Sequence, residues 1–119
     1  MTWTTPETSH ISIIIPTLNE ENNLDNLLSS LQAYQNVEII VTDGGSTDKT
    51  VDITRNHTVQ VVTSPAGRWI QQNEGAKTAS GNILVFLHCD TMLPDDFPNM
   101  IYTILNQPET AAGAFRLKI

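Results

Sequence analysis

Short apolar runs recur along this chain, each closed by a polar loop, and they constrain its fold more than any other feature. Ile11-Ser12-Ile13-Ile14-Ile15 is β-branched, continuous and stopped by Pro16. Comparable runs occupy 37–42 and 84–87, the last with Gly81-Asn82 before it and Pro94 beyond it, while 59–63 alternates loosely and makes a further strand. Runs of this length with little alternation mark strands buried on both faces, as in parallel sheets. Between the first two, Leu24, Leu27, Leu28 and Leu31 repeat at i, i+3, i+4 and i+7, which predicts an amphipathic helix. A weakly patterned helix is expected at about 47–56, and another at about 68–80, where Gly81 suits a C-terminal stop. Phe97, Met100, Ile101, Ile104 and Leu105 form a further helical stripe, with Pro94 or Pro98 near its start. Residues 114–119 alternate strictly and predict a half-buried strand. Strand and helix therefore take turns along the chain. That is the pattern of an α/β, Rossmann-like, mostly parallel sheet flanked by helices in three α/β/α layers.

At 119 residues the chain is expected to form one domain over 11–119, after a polar lead-in over 1–10. Its net charge of −7, with six scattered basic residues, argues against binding nucleic acid or an anionic membrane surface. Any anion would be held by a metal ion or by backbone amides. A single cysteine provides no disulfide framework, and residues 1–10 show no signal-peptide pattern, so a reduced cytoplasmic setting is expected. No apolar run approaches the roughly 20 residues of a membrane span, and any membrane contact would be peripheral. The chain stops inside its last alternating segment, which predicts a domain truncated at its C-terminal end or an unusually short one. The exposed sheet edge that results would favour self-association into a homo-oligomer.

Open α/β sheets bind ligands beyond the carboxyl ends of their strands, which makes the polar loops the candidate site. In Leu87-His88-Cys89-Asp90, side chains two apart on an extended chain share a face, so His88 and Asp90 should point one way and Cys89 the other. An imidazole and a carboxylate together can hold a divalent cation, and the cation can hold a diphosphate. The plainer alternative is that Asp90 caps the next segment and His88 ends a strand. In Pro16-Thr17-Leu18-Asn19-Glu20-Glu21, Asn19 is placed to cap the following helix and the two glutamates suit its positive end. Asp43-Gly44-Gly45-Ser46-Thr47-Asp48-Lys49-Thr50 invites comparison with the phosphate-cradling G-x-x-x-x-G-K-[ST]. Both glycine positions of that motif are aspartates here, Asp43 and Asp48, and a carboxylate there would repel phosphate. Asp43 is better suited to accept from a neutral donor such as a base-ring N–H or a ribose hydroxyl; alternatively, Asp43 and Asp48 stabilise a Gly-rich turn and a helix start. On the next helix Arg68, Gln72 and Gly75 fall at i, i+4 and i+7, lining up a guanidinium, an amide and bare backbone. A mid-helix glycine costs about 1 kcal/mol relative to alanine, which close approach of a ligand or a strand would justify. The alternative is tight helix-on-sheet packing through Gly75, Ala76 and Ala79, with Arg68 solvated.

The usual dinucleotide fingerprint G-x-G-x-x-G is absent, which disfavours an NAD or FAD domain. Four ordered motifs instead carry a likeness to a known family. They are Ile13-Ile14-Ile15-Pro16-Thr17-Leu18-Asn19-Glu20, Ile39-Ile40-Val41-Thr42-Asp43-Gly44-Gly45-Ser46-Thr47-Asp48, Gly67-Arg68 through Gln72-Asn73-Glu74-Gly75-Ala76, and Leu87-His88-Cys89-Asp90-Thr91. From about Ser12 onward the chain resembles family 2 glycosyltransferases of the GT-A fold. The resemblance implies a nucleotide-sugar donor, commonly a UDP-sugar, with Mg²⁺ or Mn²⁺ bridging the diphosphate. It implies that Pro16, Thr17 and Glu20 line the nucleoside, that Asp43 bonds the base, and that Arg68 and Asn73 lie beside the nucleotide and diphosphate. Asn19, Gly44 and Gln72 complete the expected donor-binding set. Asp90 matches the last aspartate of the family's D-x-D metal motif, and His88 stands where the first usually does. That departure is similar to a subgroup with H-x-D at this point, and imidazole suits Mn²⁺ better than Mg²⁺. Gly113-Ala114-Phe115-Arg116 is similar to the segment that follows the donor site in that subgroup.

The implied function is an inverting glycosyltransferase acting on an unknown acceptor, which could be a saccharide, a lipid or a small molecule. Its general base would be a carboxylate beyond Ile119. The alternative from another class is a nucleotide or nucleotide-sugar binding module without turnover. A nucleotidyltransferase is disfavoured because residues 16–21 carry no Lys or Arg.

Overall fold

The computed structural model describes residues 11–34, 37–90 and, as backbone, 114–116. The expected lead-in over 1–10, the helical stripe over 97–105 and residues 117–119 lie outside the described residues. The order of elements is β1 (Ile11–Thr17), α1 (Leu24–Leu31), β2 (Val37–Asp43), α2 (Thr50–Asn56), β3 (Gln60–Thr63), α3 (Arg68–Thr78), β4 (Ile83–Phe86) and β5 (Ala114–Arg116). They form one sheet in the order β3-β2-β1-β4-β5, every pairing parallel. The chain thus moves outward from β1 to β3 and then returns to place β4 on the other side of β1.

Both faces of β1 are buried, which explains why its apolar run is continuous. Ile11, Ile13 and Ile15 join Leu24, Leu27, Leu28 and Leu31 of α1 in one cluster with Val41, Ile83, Val85, Leu87 and Cys89; Ile53 of α2 packs against it. The opposite face of β1 and β2 carries α3. Ser12 and Ile14 point that way by the two-residue alternation of a strand. Helices on both faces of a parallel sheet make the three-layer α/β/α arrangement.

Gly75 brings α3 down onto the sheet. A Cβ at this position would lie 2.4 Å from Ile14 Cγ2 and 2.9 Å from Thr42 Cγ2. The close neighbour that the mid-helix glycine requires is therefore a pair of strands and not a ligand. Helix propensity alone would make Gly75→Ala stabilising by about 1 kcal/mol. The contact predicts the opposite sign, a loss of about 2 kcal/mol from overpacking, measurable by urea unfolding. A more stable variant would show that α3 can lift away without loss.

Two helix boundaries differ from expectation for the same reason: polar groups found better partners. Asn19 does not cap α1, whose N-cap is Asn23; Asn19 adopts a positive φ of 56° and turns toward the β2–α2 loop. Gly81 does not stop α3, which ends at Thr78 with Ala79 extended. The Gly81 N–H instead donates to Ser12 Oγ at 2.8 Å, and Ser12 Oγ donates to Glu38 Oε1 at 2.7 Å. Ser80 adds its N–H and hydroxyl to the same carboxylate, tying the start of β4 to β1 and β2. α2 begins at Thr50 because 46–49 are occupied in bonding the β1–α1 loop, as described next.

Candidate functional site

The loops after β1, β2, β3 and β4 all leave the carboxyl edge of the sheet. Because β1 lies between β2 and β4, the strand order reverses between β1 and β4, the position where open α/β sheets bind ligands. The site has two halves, one on each side of β1.

The first half joins the β1–α1 and β2–α2 loops. Thr17 and Asp43 are register partners, and the Thr17 hydroxyl donates to Asp43 Oδ1 at 2.8 Å. Asp43 Oδ2 accepts from the N–H groups of Gly45 at 3.0 Å and Ser46 at 2.8 Å, and the Ser46 hydroxyl donates to Oδ1. Those four bonds use the four acceptor positions a carboxylate offers. Asp43 is 3 % exposed, so a base N–H could reach it only by displacing one of the protein's own donors. Burial pushes its pKa up, but the bonds from Ser46, Thr17 and Gly45 together outweigh it and hold the group below the ordinary carboxylate range. The geometry is that of the turn-stabilising alternative.

Further bonds fuse the two loops. The N–H groups of Asn19 and Glu20 donate to the hydroxyls of Ser46 and Thr50, each at 2.8 Å. Asn19 Oδ1 accepts from the N–H of Thr47 at 2.8 Å and of Asp48 at 3.3 Å. Asp48 caps the start of α2 through the Thr50 N–H and hydroxyl and also accepts from the Glu21 N–H at 3.2 Å. A motif rich in Asp, Ser and Thr is thus spent largely on locking loop to loop.

The second half lies between β1 and β4. The Leu87 N–H donates to Ile14 O at 3.0 Å, carrying the ladder one step past β4 and bringing 88–90 out beside the end of β1. Burial alternates there: Leu87 and Cys89 are inside, His88 is half-buried and Asp90 is exposed. Burial together with the negative charges of Glu20 and Asp90 pushes the Cys89 thiol up to about 12. Glu20, in the loop after β1, and Asp90, in the loop after β4, thus both act on the Cys89 thiol. Among the described residues Glu20 Oε1 accepts a 3.3 Å bond from Asn23 Nδ2. Among the described residues no group of three or more His, Cys, Asp or Glu side chains could hold a metal by itself.

The expected residues of α3 divide. Arg68 is exposed at its start and Asn73 is exposed further along, whereas Gln72 is buried at 7 % exposure and does not line an open surface with Arg68. Pro16 is half-buried in β1, and the half-buried Gly44 donates its N–H to Thr17 O at 3.0 Å. Gln71, adjacent to the expected Gln72, is the helix residue that reaches the carboxyl edge. Its Nε2 donates to Thr17 O at 2.9 Å and Thr42 O at 2.8 Å. The small-residue face at Gly75, Ala76 and Ala79 places 71 and 72 both toward the sheet; only the seating of the helix separates them. Leu18, Trp69 and Ile70, the large apolar side chains exposed among the described residues, lie in the loop after β1 and the first turn of α3.

Residues 12–119 match the family model described as glycosyl transferase family 2. The chain is 38% identical over 95 residues to an uncharacterized glycosyltransferase of Haemophilus influenzae, covering 72% of this chain and 38% of that protein. It is 34% identical over 118 residues to dolichol-phosphate mannosyltransferase of Pyrococcus furiosus, covering 91% of this chain and 34% of the other. It spans well under half the length of these curated relatives. Its fold is similar to glucosyl-3-phosphoglycerate synthase of Mycobacterium tuberculosis in complex with UDP, with TM-score 0.67 and 25% identity over 87% of this chain and 45% of that one. It is also similar in fold to mannosyltransferase PcManGT of Pyrobaculum calidifontis in complex with GDP-Man and Mn²⁺, with TM-score 0.74 and 22% identity over 84% and 33% of the two chains. With the sheet order, the GT-A architecture and the family match in agreement, the chain belongs to glycosyl transferase family 2.

Proposed function

We propose that this chain forms the donor-binding part of an inverting glycosyltransferase whose donor is a nucleoside-diphosphate sugar, with a UDP-sugar the first candidate. The observation that carries this reading is the placement of the half-buried His88 and the exposed Asp90 beside the end of β1, at the strand-order reversal between β1 and β4. Structures similar to this one hold UDP, or GDP-Man with Mn²⁺, which supports the nucleotide and leaves its base open.

The donor set suits a divalent cation that is completed by its ligand. Asp90 offers an exposed carboxylate and the half-buried His88 an imidazole in the H-x-D arrangement. Hard cations of this kind bind through one or two carboxylates plus substrate phosphates and water, so the incomplete protein set fits. Mn²⁺ is the better match if His88 takes part. When bound, the ion would offset the charge that develops on the departing diphosphate.

The protein's own residues do the rest. The locked β1–α1 and β2–α2 loops present Pro16, Glu20 and the backbone at Gly44 to the nucleoside without rearranging, and Asp43 acts by holding that shape. Arg68, exposed at the start of α3, is placed for the anionic part of the donor. Exposed Leu18, Trp69 and Ile70 favour an acceptor with an apolar portion.

Isothermal titration with UDP and GDP, with Mn²⁺, Mg²⁺ or chelator, tests the reading. Binding is expected for a nucleoside diphosphate in the presence of a divalent ion, with a clear loss on chelation. Failure of both nucleotides to bind under all three conditions would overturn it.

A further inference from the structure

We propose that Gln71 is a positioning residue, an internal strut that makes the three loops at the carboxyl edge behave as one body. Its relevance to donor binding rests on the function proposed above; its effect on the loops does not. Gln71 is 5 % exposed and its carboxamide makes three hydrogen bonds. Its two N–H bonds go to carbonyls at the ends of neighbouring strands, Thr17 O and Thr42 O, and its Oε1 accepts the Gly67 N–H at 3.1 Å. Turning the amide over would set its oxygen against two carbonyl oxygens, so the orientation is determined by its partners.

Through Thr17 the strut reaches the rest of the site. Thr17 O also accepts the Gly44 N–H, the Thr17 hydroxyl holds Asp43, Asp43 holds Ser46, and Ser46 holds the Asn19 N–H. Through Gly67 it reaches the turn that carries Arg68. The sheet ties only the start of the β3–α3 turn to the end of β2, through the Ser64 N–H bond to Asp43 O at 3.0 Å, whereas Gln71 reaches Gly67 at its far end.

Gly44 is part of the same device. A Cβ there would sit 2.9 Å from both Cδ and Oε1 of Gln71 and 3.1 Å from Ala66 Cα. A side chain at 44 therefore requires the Gln71 amide to shift from this position. The glycine of the D-G-G-S motif is thus required by a side chain on α3, 27 positions away in sequence.

Hydrogen exchange read by mass spectrometry, with no ligand present, tests the coupling on the full chain. In Gln71→Leu, amides over 17–21, 44–50 and at Gly67 should exchange at least 10-fold faster together, while those of α1 keep parental rates. Gly44→Ala should reproduce this pattern with Gln71 intact, which keeps the test decisive if Gln71→Leu fails to fold. Faster exchange confined to Gly67 in either variant would overturn the proposal. UDP titration with Mn²⁺ adds the functional readout: a folded Gln71→Leu should bind at least 10-fold more weakly than the parent. Gln71→Glu should bind poorly at pH 8 and recover toward pH 5, where a protonated carboxyl can again donate to a strand carbonyl, a recovery absent from the leucine variant. Parental affinity in folded Gln71→Leu would reject the positioning role. A parent that binds no nucleotide would instead overturn the donor reading, with the exchange data still deciding whether Gln71 couples the loops.

Discussion

Asp90→Ala is expected to weaken UDP binding in the presence of Mn²⁺ by about 100-fold, equivalent to about 2.7 kcal/mol, while leaving the unfolding midpoint unchanged. The side chain is exposed beyond the end of β4, and substitutions at exposed positions of this kind usually alter stability by less than about 0.5 kcal/mol. Its loss should therefore fall on the ion and its diphosphate. Titration in chelator provides the control: without the metal, parent and variant should bind alike. His88→Ala separates the ions, since removing an imidazole should weaken the Mn²⁺ complex more than the Mg²⁺ complex. Equal UDP affinity in the Asp90→Ala variant and the parent, both with Mn²⁺, would remove Asp90 from the metal site.

Asp43→Ala should have the largest effect on stability, about 3 kcal/mol, with nucleotide affinity falling only as a consequence. The substitution strips partners from the Thr17 and Ser46 hydroxyls and from the N–H groups of Gly45 and Ser46, inside a nearly closed pocket of protein. Urea unfolding gives the number. If the variant is as stable as the parent but binds UDP much more weakly, Asp43 contacts the nucleotide directly and its internal bonds yield to the ligand.

The same bonds set an acid limit. Asp43 and Glu38 are both held below their ordinary values: burial pushes each up, but bonds from Ser46, Thr17 and Gly45 in one case, and from Ser12 and Ser80 in the other, prevail. A carboxylate whose folded pKa lies below its unfolded one contributes stability above the unfolded value and loses it as pH falls through the folded one. Stability should therefore be level above about pH 5 and decline below about pH 4. Glu38→Gln should flatten part of that decline. A stability that rises on acidification below pH 4 would contradict the hydrogen-bonded assignments.

Much of the architecture was legible in the chain because burial imposes periodicity. Isoleucines at 11, 13, 14 and 15 can satisfy a strand only if both of its faces are covered, and the leucines at 24, 27, 28 and 31 can bury together only on a helix. α2 was faint for a physical reason: the residues it buries are Thr50 and Thr54, not an apolar stripe. The strand-exit loops were recognisable as the polar interruptions of that pattern, and the four motifs in order led to the family.

What each polar side chain does was decided by tertiary structure. Asn19 precedes a helix and reads as its cap, yet it bonds the amides of Thr47 and Asp48, residues brought alongside only when β1 and β2 pair. Asp43 has the chemistry to hold a base, but the paired Thr17 and the turn at Ser46 use its lone pairs first. Gln71 and Gln72 are equivalent by composition, and the seating of Gly75 against Ile14 and Thr42 selects the first as the strut. Local sequence determines periodicity because each residue meets its near neighbours in any compact state. Hydrogen-bond partners depend on which strand ends lie side by side, and that is known only once the sheet has assembled.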